Sequence, residues 1–157
     1  MLTYRPVNHY DLPLLATFPQ NEDELYFCYP KGIYPFTPDQ LIDIISHRCY
    51  STVIEKEGVL AGFANFYQWQ HQGLCKIGNV MVNPIFRQQG IARYLLSVMI
   101  KQAVDIFQAK EIQVSCFNTN TAALLFYPKI GFLPISIEER YDKQNQKIAL
   151  IHFSKIL

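Results

Sequence analysis

Arg87-Gln88-Gln89-Gly90-Ile91-Ala92 lies between a β-branched, strand-like run, Ile77 to Val82, and an amphipathic helical pattern from Ile91 to Phe107. The N–H groups in the first turn of a helix have no partners inside the helix, and the helix dipole adds partial positive charge there. Gly90 lets the backbone approach an anion closely, and Arg87 adds charge beside it. The stretch therefore predicts a strand, a phosphate-binding loop and a helix in succession.

The loop alone is also compatible with an ordinary helix start that faces water, but a second motif lies downstream of it. Two other phosphate-binding loops are excluded, because the chain contains neither G-x-x-x-x-G-K-S/T nor a G-x-G-x-x-G after its first strand. After the strand-like run Glu111 to Cys116, the chain reads Asn120-Thr121-Ala122-Ala123-Leu124-Leu125-Phe126-Tyr127-Pro128-Lys129-Ile130-Gly131-Phe132.

The two segments together resemble the GCN5-related N-acetyltransferase (GNAT) family. The family's acetyl-CoA loop reads R/Q-x-x-G-x-G/A, and its later helix reads roughly N-x-x-A-x-x-L-Y-x-K-x-G-F. Phe126 replaces the leucine of that helix. The residues in register with it are Asn120, Ala123, Tyr127, Lys129, Gly131 and Phe132. The motifs cover the chain from about Gly73 to Phe132.

The resemblance implies a site for acetyl-CoA. Backbone groups of the strand before the loop would meet the pantetheine arm and the thioester carbonyl, and the loop would hold the pyrophosphate. Asn120 would contact the CoA arm near its sulfur, although an asparagine at this position can also serve only as a helix cap. The implied cofactor-binding residues are Met81, Val82, Arg87, Gln88, Gln89, Gly90, Ile91, Ala92 and Asn120.

Tyr127 is the candidate catalytic residue. A departing CoA thiolate must be protonated or hydrogen-bonded as it leaves, and a phenol with a pKa near 10 can donate to a thiolate whose pKa is about 8.5. The alternative is a tyrosine that only packs in the core. Pro128 departs from the family pattern, and it predicts that the helix ends or kinks at Tyr127.

The acceptor site and the general base are less defined. Many family members carry a carboxylate on the strand before the loop, but this chain has Lys76 and Asn79 there. An acidic and aromatic cluster in the first half is either a solvated loop or a site for a cationic amine. The candidate acceptor-binding residues in this cluster are Glu22, Asp23, Glu24, Tyr26 and Tyr29.

Composition excludes several other classes of protein. Lysine and arginine number 14 against 13 aspartates and glutamates, and this balance argues against nucleic acid as a partner. The four cysteines form no C-x-x-C pair and no signal peptide precedes them, so we expect reduced thiols in a cytoplasmic protein. The four histidines are scattered, so no metal site is expected. No apolar run approaches the ~18 residues that cross a bilayer, so no membrane association is expected.

The order of predicted elements indicates an α/β fold in one domain over residues 1–157. A strand at Leu2 to Val7 and a helix at Tyr10 to Phe18 precede Asn21 to Phe36, which carries two prolines and is expected to be irregular. Thr37-Pro38-Asp39-Gln40 is a capping box that predicts a helix to Arg48. Ile42 is expected on its buried face.

The second half predicts the sheet. An antiparallel meander is expected before the loop, and the strand–helix–strand unit around the loop makes one parallel pair. The result is a GNAT-like mixed, mostly antiparallel sheet with helices on both faces. The predicted strands are Tyr50 to Lys56, Val59 to Trp69, Cys75 to Val82, Glu111 to Cys116, Ile135 to Arg140 and Ile148 to Phe153.

The function that this resemblance implies is acetyl transfer from acetyl-CoA to a primary amine. The amine, carried by a small molecule or a peptide, would attack the thioester directly while both substrates are bound. A CoA-binding sensor or interaction module with weak catalysis is the alternative, and a homodimer is a candidate assembly.

Overall fold

The computed structural model describes residues 1–157. Short 3₁₀ turns lie at His9–Asp11 and Pro84–Phe86. The strands are β1 (Leu2–Pro6), β2 (Cys49–Lys56), β3 (Val59–Trp69), β4 (Leu74–Val82), β5 (Glu111–Phe117), β6 (Leu133–Tyr141) and β7 (Lys147–Ile156). The helices are α1 (Leu12–Leu15), α2 (Glu22–Cys28), α3 (Pro38–Ser46), α4 (Ile91–Phe107) and α5 (Thr121–Lys129).

One mixed sheet of 7 strands runs through the chain in the order β1-β2-β3-β4-β5-β7-β6. All neighbouring strands are antiparallel except β4 and β5, which are parallel. The parallel pair is the one that α4 connects, as expected for a strand–helix–strand crossover. The predicted mixed, mostly antiparallel α/β fold is confirmed.

The two parallel strands separate soon after they begin. Their pairing extends only from Leu74, opposite Glu111, to Lys76, opposite Gln113. From Ile77 onward, β4 pairs only with β3, while β5 continues to pair with β7 on its other edge. Backbone groups on the open edge of β4 are therefore available to another molecule, since no strand satisfies them.

Two hydrophobic clusters cover the faces of the sheet. One contains α4 and the buried end of α5, with Leu95, Met99 and Tyr127 among its members. The other lies under α1, α2 and α3. Helices therefore cover both faces of the sheet, on either side of the opening between β4 and β5.

The predicted helix after the loop matches α4 at both ends, because its apolar residues recur at helical spacing. The expectation that Ile42 lies on the buried face of α3 was wrong, since this residue is exposed. Thr37 caps α3 as predicted by accepting a hydrogen bond from the Gln40 N–H. The Gln40 side chain does not complete a capping box; it bonds instead to the backbone of Ile33 and Pro35.

The expectation of an irregular chain from Asn21 to Phe36 was wrong in its first half, which forms α2. The Asn21 side chain accepts a hydrogen bond from the Glu24 N–H, at 2.9 Å, and so caps the helix. Three acidic residues occupy the first turn, where they complement the helix dipole. The helix is short and ends before Pro30, which explains why its pattern was difficult to recognise.

No helix of the protein combines the length and apolarity that a membrane span requires.

Candidate functional site

A cavity of about 540 Å³ lies where β4 and β5 separate. Side chains and backbone from α2, β4, β5, α5 and the loop before α4 form its walls. Of the residues singled out in the sequence, those that line it are Glu24, Met81, Val82, Arg87, Ala92, Asn120 and Tyr127. The two motifs, far apart in sequence, therefore meet at a single cavity.

The loop before α4 presents a row of free amides. The backbone N–H groups from Gln88 to Arg93 have no acceptor within the protein, and the first bond into the helix is from Tyr94 to the Gly90 carbonyl. Gln88 and Gly90 have φ angles of 61° and 81°, so the chain turns through the left-handed region twice. Glycine adopts that region without a steric penalty. A nest of free amides at a helix start is a suitable site for a phosphate.

Four predicted members of the loop do not line the cavity with their side chains. Ile91 is buried in the core, and the Gln89 side chain bonds to Lys56 and to the Ile85 carbonyl. Gln88 and Gly90 are exposed. Contacts from these four residues to a cofactor would therefore come from their backbone, as the loop's free amides indicate.

Arg87 is already paired with a carboxylate. Its two terminal nitrogens lie 2.7 and 3.1 Å from the two oxygens of Glu24, on α2. Arg87 holds the pKa of the Glu24 carboxyl below its usual value through this hydrogen bond. The pair joins the predicted acceptor segment to the predicted cofactor loop, so an anion that binds Arg87 competes with Glu24.

Asn120 and Tyr127 lie on the far wall of the cavity, on α5. The Asn120 side chain accepts a long hydrogen bond, 3.4 Å, from the Ala123 N–H and so caps α5. Since Asn120 also lines the cavity, its two predicted roles are compatible in this geometry.

The Tyr127 ring is held by aromatic neighbours. Its centroid lies 5.9 Å from that of Phe132, 5.7 Å from that of Phe153 and 5.6 Å from that of Phe126. Burial raises the pKa of the phenol well above its usual value, so it is protonated at neutral pH. No protein group forms a hydrogen bond with the Tyr127 hydroxyl, which leaves its proton free to be donated into the cavity.

Of the predicted end or kink of α5 at Tyr127, the end was wrong, because the helix continues to Lys129 with Pro128 inside its last turn. Proline has a φ compatible with a helix, and the helix end is closed by other donors. The Tyr127 carbonyl accepts from the Ile130 and Phe132 N–H groups, and the Pro128 carbonyl accepts from the Gly131 N–H. Pro128 therefore leaves Tyr127 within the helix, facing the cavity.

The predicted acceptor residues do not lie together: some line a second, smaller cavity, one faces the larger cavity and one lies outside both. Glu22, Asp23 and Tyr26 line a second cavity of about 240 Å³, together with Asp142 and Lys143. Phe27 and Thr119 border both cavities. Tyr29 lies outside both and packs near Phe36, with ring centroids 6.0 Å apart. Glu24 faces the larger cavity, where it is engaged with Arg87.

Two cysteines line the larger cavity but are poor nucleophiles. Burial raises the pKa of the Cys28 thiol to about 12 and that of the Cys116 thiol to about 11. The reactive form of cysteine is the thiolate, so both groups are inert at neutral pH.

Sequence reasoning missed two further cavity residues. Asn79, with a φ of 51°, lies at an irregularity of β4, and its side-chain amide donates to the Cys28 carbonyl at 2.9 Å. Ser115, on β5, forms a hydrogen bond with His152 on β7. The asparagine could have been suspected from its left-handed preference, but no signal in the sequence pairs Ser115 with His152.

Comparisons with known proteins agree with this geometry. The family model described as the acetyltransferase (GNAT) family matches residues 16–132. Among proteins of curated function, no significant match to the sequence is found.

Solved structures share the fold over nearly the whole chain. A ribosomal-protein-alanine N-acetyltransferase from Brucella melitensis is 20% identical with a TM-score of 0.77, and 99% of each chain is covered. A GNAT-family acetyltransferase from Bacillus anthracis is 16% identical with a TM-score of 0.80, over 99% of this chain and 94% of that one. The candidate acetyltransferase yncA from Salmonella typhimurium, solved with its cofactor acetyl-CoA, is 18% identical with a TM-score of 0.75, again over 99% and 94%.

The structural neighbours show the shared fold, and the family model covers most of the chain, including both motifs that line the cavity. The chain belongs to the acetyltransferase (GNAT) family and is an acetyl-CoA-dependent N-acetyltransferase of the GNAT type.

Proposed function

We propose that the protein transfers an acetyl group from acetyl-CoA to a primary amine, by direct attack while both substrates are bound. The observation that carries this proposal is the single cavity lined by Arg87, Ala92 and Tyr127 together with the open edge of β4. The whole chain, residues 1–157, acts as one catalytic domain in this proposal.

The cofactor lies across the opening between the parallel strands. Its pyrophosphate binds the free amides of Gln88 to Ala92, with the guanidinium of Arg87 as a counter-charge. The pantetheine arm lies along β4, where Met81 and Val82 offer backbone groups on an edge that has no strand beside it. Asn120 contacts the arm near the sulfur, which places the thioester close to Tyr127.

The chemistry at the thioester is a displacement at a carbonyl carbon. The amine nitrogen forms a bond to this carbon, and the carbon–sulfur bond then breaks to release CoA thiolate. The Tyr127 hydroxyl donates a hydrogen bond to the departing sulfur, because burial keeps the phenol protonated. The protonated state of Cys28 and Cys116 supports direct attack by the amine rather than an acetyl-cysteine intermediate.

The acceptor is a primary amine with a second positive charge. Three carboxylates and one lysine line the smaller cavity, where Tyr26 and Phe27 supply apolar area. The Lys143 amine is already bonded to the Gly32 carbonyl. A net negative, aromatic cavity that borders the acetyl site favours a cation with an apolar stem.

The activity is tested by thiol release from acetyl-CoA with spermidine, putrescine, L-lysine amide and 2-phenylethylamine. An enzyme-only blank corrects for the four cysteines. Faster release with the dibasic amines than with 2-phenylethylamine is expected, and intersecting initial-rate lines would support direct attack. Tight binding of acetyl-CoA with no thiol release to any amine would refute transfer and leave a CoA-binding module.

A further inference from the structure

A hydrogen-bonded chain of three residues crosses strands β5, β7 and β6. The Ser115 hydroxyl oxygen lies 2.6 Å from Nδ1 of His152, and Nε2 of His152 lies 3.2 Å from a carboxylate oxygen of Glu138. Ser115 and His152 are directly opposite in the antiparallel pairing of β5 and β7. The chain is therefore held by the pairing of the sheet and not only by side-chain rotamers.

Glu138 determines which nitrogen of His152 carries the proton. A carboxylate accepts hydrogen bonds, so Nε2 must be the protonated nitrogen in neutral His152. Nδ1 then has a free lone pair, and at 2.6 Å it accepts the hydroxyl proton of Ser115. This orientation is the one in which a serine hydroxyl can pass its proton to a histidine.

Ser115 alone of the three lines the larger cavity, which Gly78 and Asn79 of β4 also line. This is the wall that contains no carboxylate, since the only acid at the cavity, Glu24, is engaged with Arg87. The Ser115 hydroxyl thus connects this wall of the cavity to His152, which can accept a proton, and to Glu138 beyond it.

The charged and titratable groups that face these three residues come from β6, β3 and the turn between α3 and β2. Arg140 lies 3.2 Å from Glu138 and lowers the pKa of that carboxyl, so Glu138 is ionised at neutral pH. Tyr67, on β3, lies next to Ser115, and burial raises the pKa of its phenol. The Arg48 guanidinium stacks over the Tyr67 ring, 5.1 Å from its centroid. The two arginines thus face Glu138 and Tyr67, and among these charged groups only Glu138 forms a hydrogen bond with the imidazole.

We propose that Ser115, His152 and Glu138 form the proton relay that acts as general base in acetyl transfer. This inference rests on the proposed function. The neutral amine forms the carbon–nitrogen bond, and its nitrogen gives one proton to the Ser115 oxygen as the Ser115 hydroxyl proton moves to Nδ1 of His152. The imidazolium is stabilised by Glu138 and later releases its proton to solvent. The carbon–sulfur bond breaks, and the sulfur leaves as thiolate toward Tyr127.

Ser115 touches the amine and is the catalytic member, while His152 and Glu138 act through it. The test compares kcat/KM of His152→Gln, Ser115→Ala and Glu138→Gln with the wild type, using the amine of the panel that gives the highest turnover. We expect His152→Gln to lower kcat/KM by at least about 10²-fold, as is typical of lost acid–base catalysis. His47→Gln and Ser97→Ala are matched controls, because both residues are exposed and lie outside the cavity.

A pH profile separates a proton relay from a merely structural role. The acid limb of log(kcat/KM) should be steeper in the wild type than in His152→Gln, by the equivalent of one proton, whereas the acetyl-CoA Kd and the Tm of the two proteins should agree. If the wild type is active and His152→Gln has the same pH profile and the same turnover, the proton relay is overturned, whereas the proposed function stands. An acetyl group located on Ser115 by peptide mass mapping would also overturn it, in favour of a serine nucleophile. No transfer by the wild type to any amine would refute the proposed function itself.

Discussion

Tyr127→Phe removes one oxygen atom and leaves the surrounding contacts unchanged. The ring packs among Phe126, Phe132 and Phe153, and phenylalanine preserves all three aromatic contacts. Because the hydroxyl has no hydrogen-bond partner within the protein, its removal breaks no bond of the folded state. We therefore expect the Tm to change little, so that any loss of activity reports on the reaction.

The expected loss of kcat follows from the acidity of the phenol. Positioned acids contribute about 10²- to 10⁴-fold, and a buried tyrosine, with a pKa above its usual value of about 10, belongs at the weak end. We therefore predict a loss of about 10²-fold, or about 2.7 kcal/mol.

The assay is steady-state thiol release from acetyl-CoA with a saturating amine, compared between wild type and Tyr127→Phe. The acetyl-CoA Kd, measured by calorimetry, should agree within error, because the lost hydrogen bond forms only as the sulfur leaves. Tyr141→Phe, at an exposed site, is the matched control. Wild-type kcat in Tyr127→Phe, with unchanged Tm, would show that Tyr127 is only a core residue.

Three further substitutions test the cofactor loop and the fold. Glu24→Gln frees the Arg87 guanidinium from its ion pair, in which the Glu24 and Arg87 side chains are 28% and 46% exposed. Exposed pairs of this kind contribute about 0.2–1 kcal/mol, so we expect acetyl-CoA to bind about 1.4- to 5-fold more tightly by calorimetry. Weaker binding would contradict the competition between Glu24 and the cofactor for Arg87. Gly90→Val forces a β-branched residue to a φ of 81°. Acetyl-CoA binding should therefore weaken, and the free energy of unfolding in urea titrations should fall by about 1–2 kcal/mol. Unchanged affinity for acetyl-CoA would show that the loop is not part of the site. Burial tends to raise the pKa of Asp11, but its two 2.8 Å hydrogen bonds to Arg5 contribute to a net lowering. Asp11→Asn should therefore lower the free energy of unfolding by about 1.5–3 kcal/mol at pH 7. The difference from the wild type should shrink below about pH 4, as the wild-type carboxyl is protonated. A difference that does not change with pH would reject the ion pair as its cause.

The helix α4 and the loop before it were predictable because their signals are local. Apolar residues at helical spacing, a glycine at the helix start and a proline after β4 lie within one stretch of chain. The helix α2 was missed because it has only 7 residues and a single buried position, Leu25. Its acidic first turn belongs to a helix start, which sequence reasoning took for an irregular segment.

The candidate site residues also fall into those that belong to local motifs and those that depend on contacts between distant segments. Arg87 and Tyr127 were predicted as site residues because each belongs to a motif with fixed spacing, and both line the same cavity. The pairing of Arg87 with Glu24 joins residues 63 positions apart, and no local pattern predicts it. His152 was counted only as one scattered histidine, because its partners lie on two other strands.

The sequence by itself predicted the strands and α4, and it identified the candidate phosphate loop and the candidate acid, because these depend on periodicity and on short motifs. Only the tertiary structure decided that the pairing of β4 and β5 stops at Lys76, that Glu24 forms an ion pair with Arg87, and that Ser115 connects the cavity to His152. Those features arise from contacts between distant segments, and strand register and twist, which no short stretch encodes, bring them into reach.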